Sequence, residues 1–277
     1  MAAVNQRWAA GVAYLGTGYS GWQRLPGLAT VQGTVEAALS TVANRPVHVI
    51  TAGRTDAGVH ALQQVIHFDS VAERSAYAWL LGTNSLLPPT VSLAWVMPVA
   101  DDFHARFEAI SREYRYLIIN QRARNAIWGG RATWEMRELD AAAMHRAAQC
   151  LVGRHDFSSF RDTRCQSKTA IRQLTRLAVA REGAMIGVHV VGNAFLHHMV
   201  RNIVGSLIEV GLGRQPEGWI AELLAARDRR LAGMTAPSDG LYFVGPHYPQ
   251  RYKIPAPPSW PYPAGGEAGD GPGIMLS

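Results

Sequence analysis

Residues 46–68 read PVHVITAGRTDAGVHALQQVIHF, and in this stretch two apolar segments, 46–50 and 63–68, enclose a polar loop. The apolar segments are rich in valine and isoleucine, which favour β-strands. Glycines on both sides of the Arg-Thr-Asp core permit a tight turn that can hold one carboxylate at a fixed place above a sheet. The stretch therefore predicts two strands joined by a loop that carries Asp56 as a candidate catalytic group. From the residues alone, the alternative is that Asp56 only hydrogen-bonds its own turn.

The segments on either side of this loop predict a mixed sheet covered by helices. The first hundred residues give about four strands and two helices without regular strand–helix alternation, which argues against a doubly wound parallel sheet. The predicted strands span 8–14, 46–50, 63–68, 91–99, 111–119, 171–181, 185–192 and 240–245, and the predicted helices span 30–43, 73–81, 139–153, 195–212 and 218–228. The sequence indicates an α+β fold of two similar fused units with mixed, mainly antiparallel sheets flanked by helices.

The chain divides into three predicted parts. We expect an N-terminal unit that carries the polar loop over residues 1–104 and a C-terminal α+β unit over residues 105–253. Residues 254–277 are rich in proline and glycine, which predicts a disordered tail.

The composition predicts a soluble protein with a packed core. Of 277 residues, 48% are hydrophobic, which excludes disorder as the dominant state. No apolar run approaches the ~18 uncharged residues of a membrane-spanning helix, and the N-terminal segment lacks the pattern of a signal peptide, so we expect a cytoplasmic protein. The two cysteines, Cys150 and Cys165, are too few for a disulfide framework or a four-ligand zinc site, and neither belongs to a CxxC pair.

The charge balance predicts a polyanionic partner. A total of 27 basic residues against 21 acidic ones gives a formal charge of +6, and all the basic residues except Lys168 and Lys253 are arginine. Arginine suits bidentate phosphate contacts and stacking on bases, which favours a nucleic acid as the partner. A general compositional bias is the alternative at this point.

The segment Gly16–Gly21 matches the G-x-G-x-x-G pattern of dinucleotide-binding loops but lacks the helix that such a site needs. In a dinucleotide site the third glycine opens a helix, whereas Trp22 to Pro26 prolong this loop. A glycine-rich loop that carries Tyr19, Trp22 and Arg24 better suits contact with a sugar-phosphate backbone. An ordinary surface hairpin is the alternative.

Six motifs together resemble one known family. They are GWQR at 21–24, GRTDAGVHA at 53–61, FHARF at 103–107, YRY at 114–116, HHMVRNIVG at 197–205 and GLYF at 240–243. In their order and spacing these motifs resemble the TruA family of tRNA pseudouridine synthases. The resemblance implies an enzyme that isomerises uridine to pseudouridine in the anticodon stem-loop of tRNA, at positions 38, 39 and 40. It also implies a homodimer, a catalytic cleft between the two fused units, and no metal or other cofactor.

The resemblance assigns the central roles to three residues. It implies that Asp56 is the nucleophile, that Arg201 pairs with Asp56, and that Tyr114 stacks on the flipped target uracil. From the residues alone, Tyr114 is a strand tyrosine in the core and Arg201 is a solvated helix residue. Whether Asp56 attacks C6 of the base, attacks C1′ of the ribose or assists a glycal route stays open.

Three further residues are predicted to bind the substrate. The resemblance implies that Arg54 meets the flipped nucleotide or its phosphate and that Leu241 forms an apolar wall of the pocket. Arg24 joins them from the glycine-rich loop. Two other functions stay open, namely a noncatalytic RNA-binding protein and a carboxylate-dependent nucleosidase that releases the base.

Three histidines invite a metal-site interpretation, which the sequence does not favour. No carboxylate or cysteine lies at ligand spacing from His104, His197 or His198, and the chemistry of uridine isomerisation needs no metal. We therefore expect these histidines to make structural or RNA contacts.

Overall fold

Ten strands join into one sheet within residues 5–260, the part of the chain that the computed structural model describes. The strands are β1 (Gln6–Tyr14), β2 (Ile50–Thr51), β3 (His60–Ser70), β4 (Val91–Pro98), β5 (Ser111–Asn120), β6 (Thr133–Glu135), β7 (Gly153–Asp156), β8 (Ile171–Glu182), β9 (Met185–Gly192) and β10 (Leu241–His247). Across the sheet their order is β4-β1-β3-β10-β5-β9-β8-β7, while β2 pairs with β3 and β6 pairs with β5. The pairs β3–β10 and β5–β6 are parallel, and the other pairs are antiparallel.

The position of β10 makes the sheet continuous. This strand lies between β3 of the N-terminal part and β5 of the C-terminal part, and it pairs with both. The predicted α+β class, with a mainly antiparallel sheet flanked by helices, is therefore confirmed. The strands of the two predicted units form a single sheet instead of two adjoining ones, and the unit boundaries at 104 and 253 stay a prediction.

Five α-helices of the described range pack on one face of this sheet. They are α1 (Val31–Ala43), α2 (Ala76–Asn84), α3 (Ala141–Ala148), α4 (Met199–Gly211) and α5 (Trp219–Ala226). Helices α1 and α2 share a core with β1, β3 and β4, whereas α3, α4 and α5 share a second core with β5, β8 and β9. Leu241 packs into the second core and Phe243, on the same face of β10, packs into the first. The two helix groups therefore meet above β10 and leave an opening there.

Short polar residues define where three of these helices begin. The side chains of Thr30, Ser75 and Asp140 each accept a hydrogen bond from the backbone N–H three residues further along the chain. Helix α1 begins only at Val31, well after Gly21. The glycine-rich loop thus opens no helix, which agrees with the rejection of a dinucleotide site.

The segment 46–49 is predicted as a strand but hydrogen-bonds to side chains of α1 instead. The backbone N–H of Val49 donates to Oε1 of Glu36 at 3.0 Å, and that of Val47 donates to Oγ of Ser40 at 2.9 Å. The valine-rich pattern correctly predicts burial. It is wrong about the strand, because these N–H groups find their partners outside the sheet.

The opposite face of the sheet is covered in part by the start of the predicted tail. Nε2 of Gln63 donates to the carbonyl of Pro255 at 2.9 Å, and the ring centroid of Trp260 lies 5.4 Å from that of Tyr242. Residues 254–260 therefore pack against the sheet, and the rest of the predicted tail lies outside the described residues. None of the described helices is long and apolar enough to cross a lipid bilayer.

Glu113 of β5 is the centre of a charged cluster on that opposite face. Its carboxylate lies 2.9 Å from Nε2 of His189, 3.4 Å from Nε2 of His247 and 3.8 Å from Nε of Arg115. Burial raises the pKa of Glu113, but the two histidines and Arg115 lower it by more, to about 2. A carboxylate of this kind stabilises the fold above its unfolded pKa, and the contribution is lost as the pH falls through its folded pKa.

Glu113→Gln should therefore lower the free energy of unfolding by on the order of 2 kcal/mol near pH 5. The difference from the parent should narrow as the pH falls from 4.5 toward about 2, because the protonated carboxyl no longer attracts its cationic partners. Urea unfolding across this pH range measures the difference. The control is Glu182→Gln at the exposed end of β8, with an expected change within ~0.5 kcal/mol at each pH. A difference that stays constant with pH would contradict the electrostatic origin.

Candidate active site

The loop that carries Asp56 is hydrogen-bonded to the glycine-rich loop beside it. The N–H of Trp22 donates to the carbonyl of Thr55 at 3.0 Å, and the hydroxyl of Tyr14 lies 2.7 Å from Oγ1 of Thr55. Gly21, with a φ of +94°, comes so near that a Cβ would lie 2.9 Å from the carbonyl oxygen of Thr55. The GWQR and GRTDAG motifs therefore pack as one unit that fixes the backbone on which Asp56 stands.

Three side chains surround the carboxylate of Asp56. Its Oδ2 lies 3.3 Å from Nη1 of Arg201 and 3.2 Å from Nε2 of His198, and its Oδ1 lies 3.3 Å from Nε2 of His197. The Asp56 side chain keeps 26% of its surface exposed, whereas Arg201 keeps 15%. The carboxylate can thus meet a ligand on one side while protein groups hold its other sides.

Arg201 is held in place by the segment that precedes β10. Its Nε donates to the carbonyl of Ala236 at 2.8 Å, and the N–H of Ala236 donates to the carbonyl of Arg201 at 3.1 Å. Helix α4 can lie this close to the segment before β10 because residue 205 is a glycine. A Cβ at this position would lie only 1.7 Å from the carbonyl oxygen of Met234. The structure thus brings together Arg201 and Asp56, the pair that the sequence resemblance implies.

Two histidines reach Asp56 because α4 begins later than the sequence predicts. The apolar pattern predicts a helix from residue 195, but His198 takes the left-handed conformation, with a φ of 59°, and α4 begins at Met199. The chain therefore turns before the helix, which the periodicity of side chains does not reveal. The rings of His197 and His198 stack with centroids 3.9 Å apart, and both Nε2 atoms face Asp56.

A second carboxylate, that of Asp162, lies behind the histidine pair. Its Oδ2 lies 2.7 Å from Nδ1 of His198, and its Oδ1 lies 3.3 Å from Nδ1 of His197. Burial raises the pKa of Asp162, but hydrogen bonds from Arg164 and the two histidines lower it by more, so the pKa is below its usual range. Nothing in the surrounding sequence RDTRC connects this aspartate with the histidines, so the sequence pattern does not reveal it.

The sequence argues against a metal because no carboxylate lies near the histidines along the chain. In the structure this argument is wrong, because Asp56 and Asp162 both lie beside His197 and His198. One ligand atom from each of Asp56, His197 and His198 lies within 4.8 Å of the other two. A zinc ion would have to lie about 2.0–2.1 Å from both Nε2 atoms. The two rings are stacked with an angle of 27° between their planes, and Nδ1 of each ring lies near Asp162. The absence of a metal stays a prediction.

Tyr114 of β5 lies where the two helix-covered cores meet. Its ring centroid lies 4.9 Å from that of Phe195 and 5.0 Å from that of Phe243. Burial raises the pKa of the Tyr114 hydroxyl above its ordinary value, so the phenol is neutral. The half-buried ring therefore gives the opening a fixed aromatic surface near Asp56.

The opening between the helix groups is a cleft of about 660 Å³ that contains Asp56. This volume suits a ligand of nucleotide size. The predicted substrate-binding residues Arg54 and Leu241 line the cleft, the first exposed and the second buried in the wall. Arg106 also lines the cleft and is exposed; it is the arginine of the FHARF motif, for which the sequence predicts no role of its own.

Arg24 does not join the other predicted site residues. It lies outside the lining of the cleft, and its Nη1 lies 2.8 Å from Oε2 of Glu36. The Glu36 side chain is only 5% exposed, so Arg24 neutralises a carboxylate that is otherwise costly to bury. Its charge is therefore engaged within the protein.

Comparisons with known proteins find relatives that match most of this chain. A family model described as tRNA pseudouridine synthase matches residues 10–108 and 147–249. The tRNA pseudouridine synthase A of Salmonella arizonae is 53% identical over 253 residues, which cover 91% of this chain and 94% of that protein. The protein of the same name from Xanthomonas euvesicatoria pv. vesicatoria is 54% identical over 252 residues, with coverages of 90% and 98%.

The chain belongs to the tRNA pseudouridine synthase family, because the family model and the relatives both match most of its length. Enzymes of this family are isomerases that act on tRNA. A solved structure titled as a Cbf5-Nop10-Gar1 complex overlays with a TM-score of 0.35 at 13% identity, over 85% of this chain and 48% of that chain. That similarity is too low to add to the assignment.

Proposed function

We propose that this chain isomerises uridine to pseudouridine at positions 38, 39 and 40 of the tRNA anticodon stem-loop, with Asp56 as the nucleophile and the target base flipped out. Family membership supports the isomerisation of tRNA uridine. The observation that carries the role of Asp56 is its partly exposed carboxylate, paired with Arg201 in a nucleotide-sized cleft. The positions in tRNA, a homodimeric assembly and a cytoplasmic location rest on the sequence resemblance.

The reaction breaks the bond from ribose C1′ to N1 of the base and forms a bond from C1′ to C5. One proton leaves C5 and one is taken up at N1, so substrate and product have the same composition. A carboxylate can serve by adding to C6, by attacking C1′ or by assisting removal of the C2′ proton. Each route starts from an ionised carboxylate, and the Arg201 guanidinium, with Nη1 3.3 Å from Oδ2 of Asp56, holds that oxygen in place.

The walls of the cleft suit a flipped uracil. The base has to leave the RNA stack before any group can reach C1′. Tyr114 offers a ring that Phe195 and Phe243 hold in place, and Leu241 adds an apolar wall. Stacking on an aromatic side chain contributes ~1–3 kcal/mol, which offsets part of the free energy needed to unstack the base.

Two exposed arginines of the cleft, Arg54 and Arg106, are available for the RNA backbone. Arg112 differs from them, because its guanidinium donates to backbone carbonyls, among them those of Ala52 and Arg106. Arg112 therefore holds the shape of the wall, while Arg54 and Arg106 can neutralise phosphates and release counterions.

Asp56→Asn should abolish pseudouridine formation while the fold and the tRNA affinity are kept, because the change removes a nucleophile with little change of shape. The measurement is a single-turnover assay at saturating enzyme, combined with mass analysis of the RNA. The exposed Asp101→Asn serves as the matched control and should react at the parent rate.

Undiminished turnover in Asp56→Asn would remove the proposed role of this carboxylate. In the parent, conserved RNA mass together with pseudouridine supports the isomerase. Release of free uracil would indicate a nucleosidase, and tight tRNA binding without any change of uridine would indicate a noncatalytic RNA-binding protein.

Arg201→Met should lower the single-turnover rate, because Asp56 loses the cation that holds its Oδ2 at 3.3 Å in the cleft. Arg201→Lys should be intermediate, because it keeps the charge but loses the planar fork. Arg214→Met, just beyond the far end of α4, is the control for removing an arginine. A parent-like rate for Arg201→Met at every pH would contradict the pairing with Asp56.

Tyr114→Ala should weaken binding of tRNA that carries a flipped uridine analogue by roughly 1–3 kcal/mol, the contribution of base stacking. Tyr114→Phe should bind like the parent, because the ring is kept. Equilibrium titration with an inhibitory analogue of the target nucleotide measures both affinities, and Tyr77→Ala, which removes a 72% exposed tyrosine, is the control. Equal affinities of the Ala and Phe variants would count against a stacking role.

A further inference from the structure

Two carboxylates and two imidazoles form a closed ring beneath the cleft. Nε2 of His197 lies 3.3 Å from Asp56 and its Nδ1 lies 3.3 Å from Asp162. His198 makes the corresponding contacts at 3.2 Å and 2.7 Å. Each oxygen of Asp56 faces a different histidine, and each oxygen of Asp162 does the same. Of these four contacts, the one between Nδ1 of His198 and Asp162 has hydrogen-bond geometry, whereas Nδ1 of His197 has no hydrogen-bond partner among the described residues.

The number of protons on the histidines decides what Asp56 meets. A neutral imidazole has one N–H donor and one lone pair, whereas an imidazolium has two donors. At 2.7 Å the Nδ1–H of His198 donates to Asp162, so its Nε2 offers Asp56 a donor only when the ring is charged. The proton on Nε2 of His198 therefore decides whether Oδ2 of Asp56 meets an N–H or a lone pair at 3.2 Å.

The neighbours of the histidine pair come from three segments. The charged and titratable groups that face it are Asp56 from the loop before β3, Asp162, Arg164 and Cys165 from the loop before β8, and Arg201 from α4. Burial lowers the pKa of His198, and Asp56 and Asp162 act against this lowering. Asp162 is the less exposed of the two aspartates and does not line the cleft, so it meets the histidines but not the ligand.

We propose that Asp162 is a positioning residue for Asp56, which it orients through His198, the ring that it holds by the hydrogen bond from Nδ1. The proposal rests on the proposed role of Asp56 as the nucleophile. In this arrangement the negative charge of Asp162 favours the charged form of His198, in which Nε2 carries the N–H that faces Oδ2 of Asp56.

Asp162→Asn tests the proposal, because it removes the negative charge and keeps the size of the side chain. The single-turnover rate of pseudouridine formation should fall on the order of ten- to a hundred-fold near pH 7, since a misaligned nucleophile loses its attack geometry. The loss should shrink as the pH falls, because His198 then gains its proton without the help of Asp162. The affinity for tRNA should stay at the parent value.

Asp156→Asn is the matched control. This aspartate lies a few residues before Asp162 and accepts hydrogen bonds from Ser158, away from the histidine pair. Its replacement should leave both the rate and the pH profile of the enzyme unchanged. A parent-like rate and profile for Asp162→Asn would overturn the proposal, and so would an equal loss at every pH, because a merely structural role does not depend on the protons of the histidines.

Nuclear magnetic resonance titration of the histidine side chains gives a second readout that needs no activity. In Asp162→Asn, His198 should titrate at a lower pH than in the parent, because the carboxylate that raises its pKa is gone, and unchanged titration would overturn the proposal. If Asp162→Asn fails to fold, the double variant His197→Gln, His198→Gln decides instead. Its rate should be low and independent of pH between about pH 5 and 8, and a parent-like profile would overturn the proposal.

The nucleophile assay keeps the two proposals apart. Turnover by Asp56→Asn removes the proposed function, whatever Asp162 does. Loss of turnover by Asp56→Asn together with a parent-like pH profile for Asp162→Asn removes only the positioning role.

Discussion

The pairing of β10 with both β3 and β5 is the contact on which the rest of the structure depends. This strand follows most of the fold in sequence, yet it lies near the centre of the sheet, and its side chains enter both helix-covered cores. Both helix groups therefore pack on this one strand. The loop before β3 and the start of α4 then face each other beside Tyr114, which brings Asp56 within 3.3 Å of Arg201.

Much of the secondary structure follows from local patterns, because burial on one face repeats with the period of a strand or a helix. The single sheet does not follow from them, since it requires β10 to pair with two strands that are distant in sequence. Two local errors have local causes. The N–H groups of 46–49 are bound by side chains of α1, and His198 takes a left-handed conformation, neither of which alters the spacing of apolar residues.

In the candidate site, sequence motifs predict some of the residues, whereas tertiary packing alone reveals the others. Asp56, Arg201, Tyr114, Arg54 and Leu241 stand in motifs and converge on one cleft, so their resemblance to known enzymes predicts their neighbourhood. Arg24 also stands in a motif, but its charge is taken by a buried glutamate of α1. Asp162 stands in no motif and meets the histidines only through the folded chain. Side-chain partners from separate segments are properties of tertiary packing, which one sequence does not display.

The continuous floor of the cleft has a mechanical consequence. Hydrogen-bonded strands run unbroken from β4 to β7 within residues 5–260, so the two helix groups stand on one twisted sheet instead of two lobes around a hinge. The strands under the two walls of the cleft are therefore joined edge to edge by hydrogen bonds. Under the proposed function, the rearrangement that brings a nucleotide to the proposed nucleophile then falls mainly to the RNA.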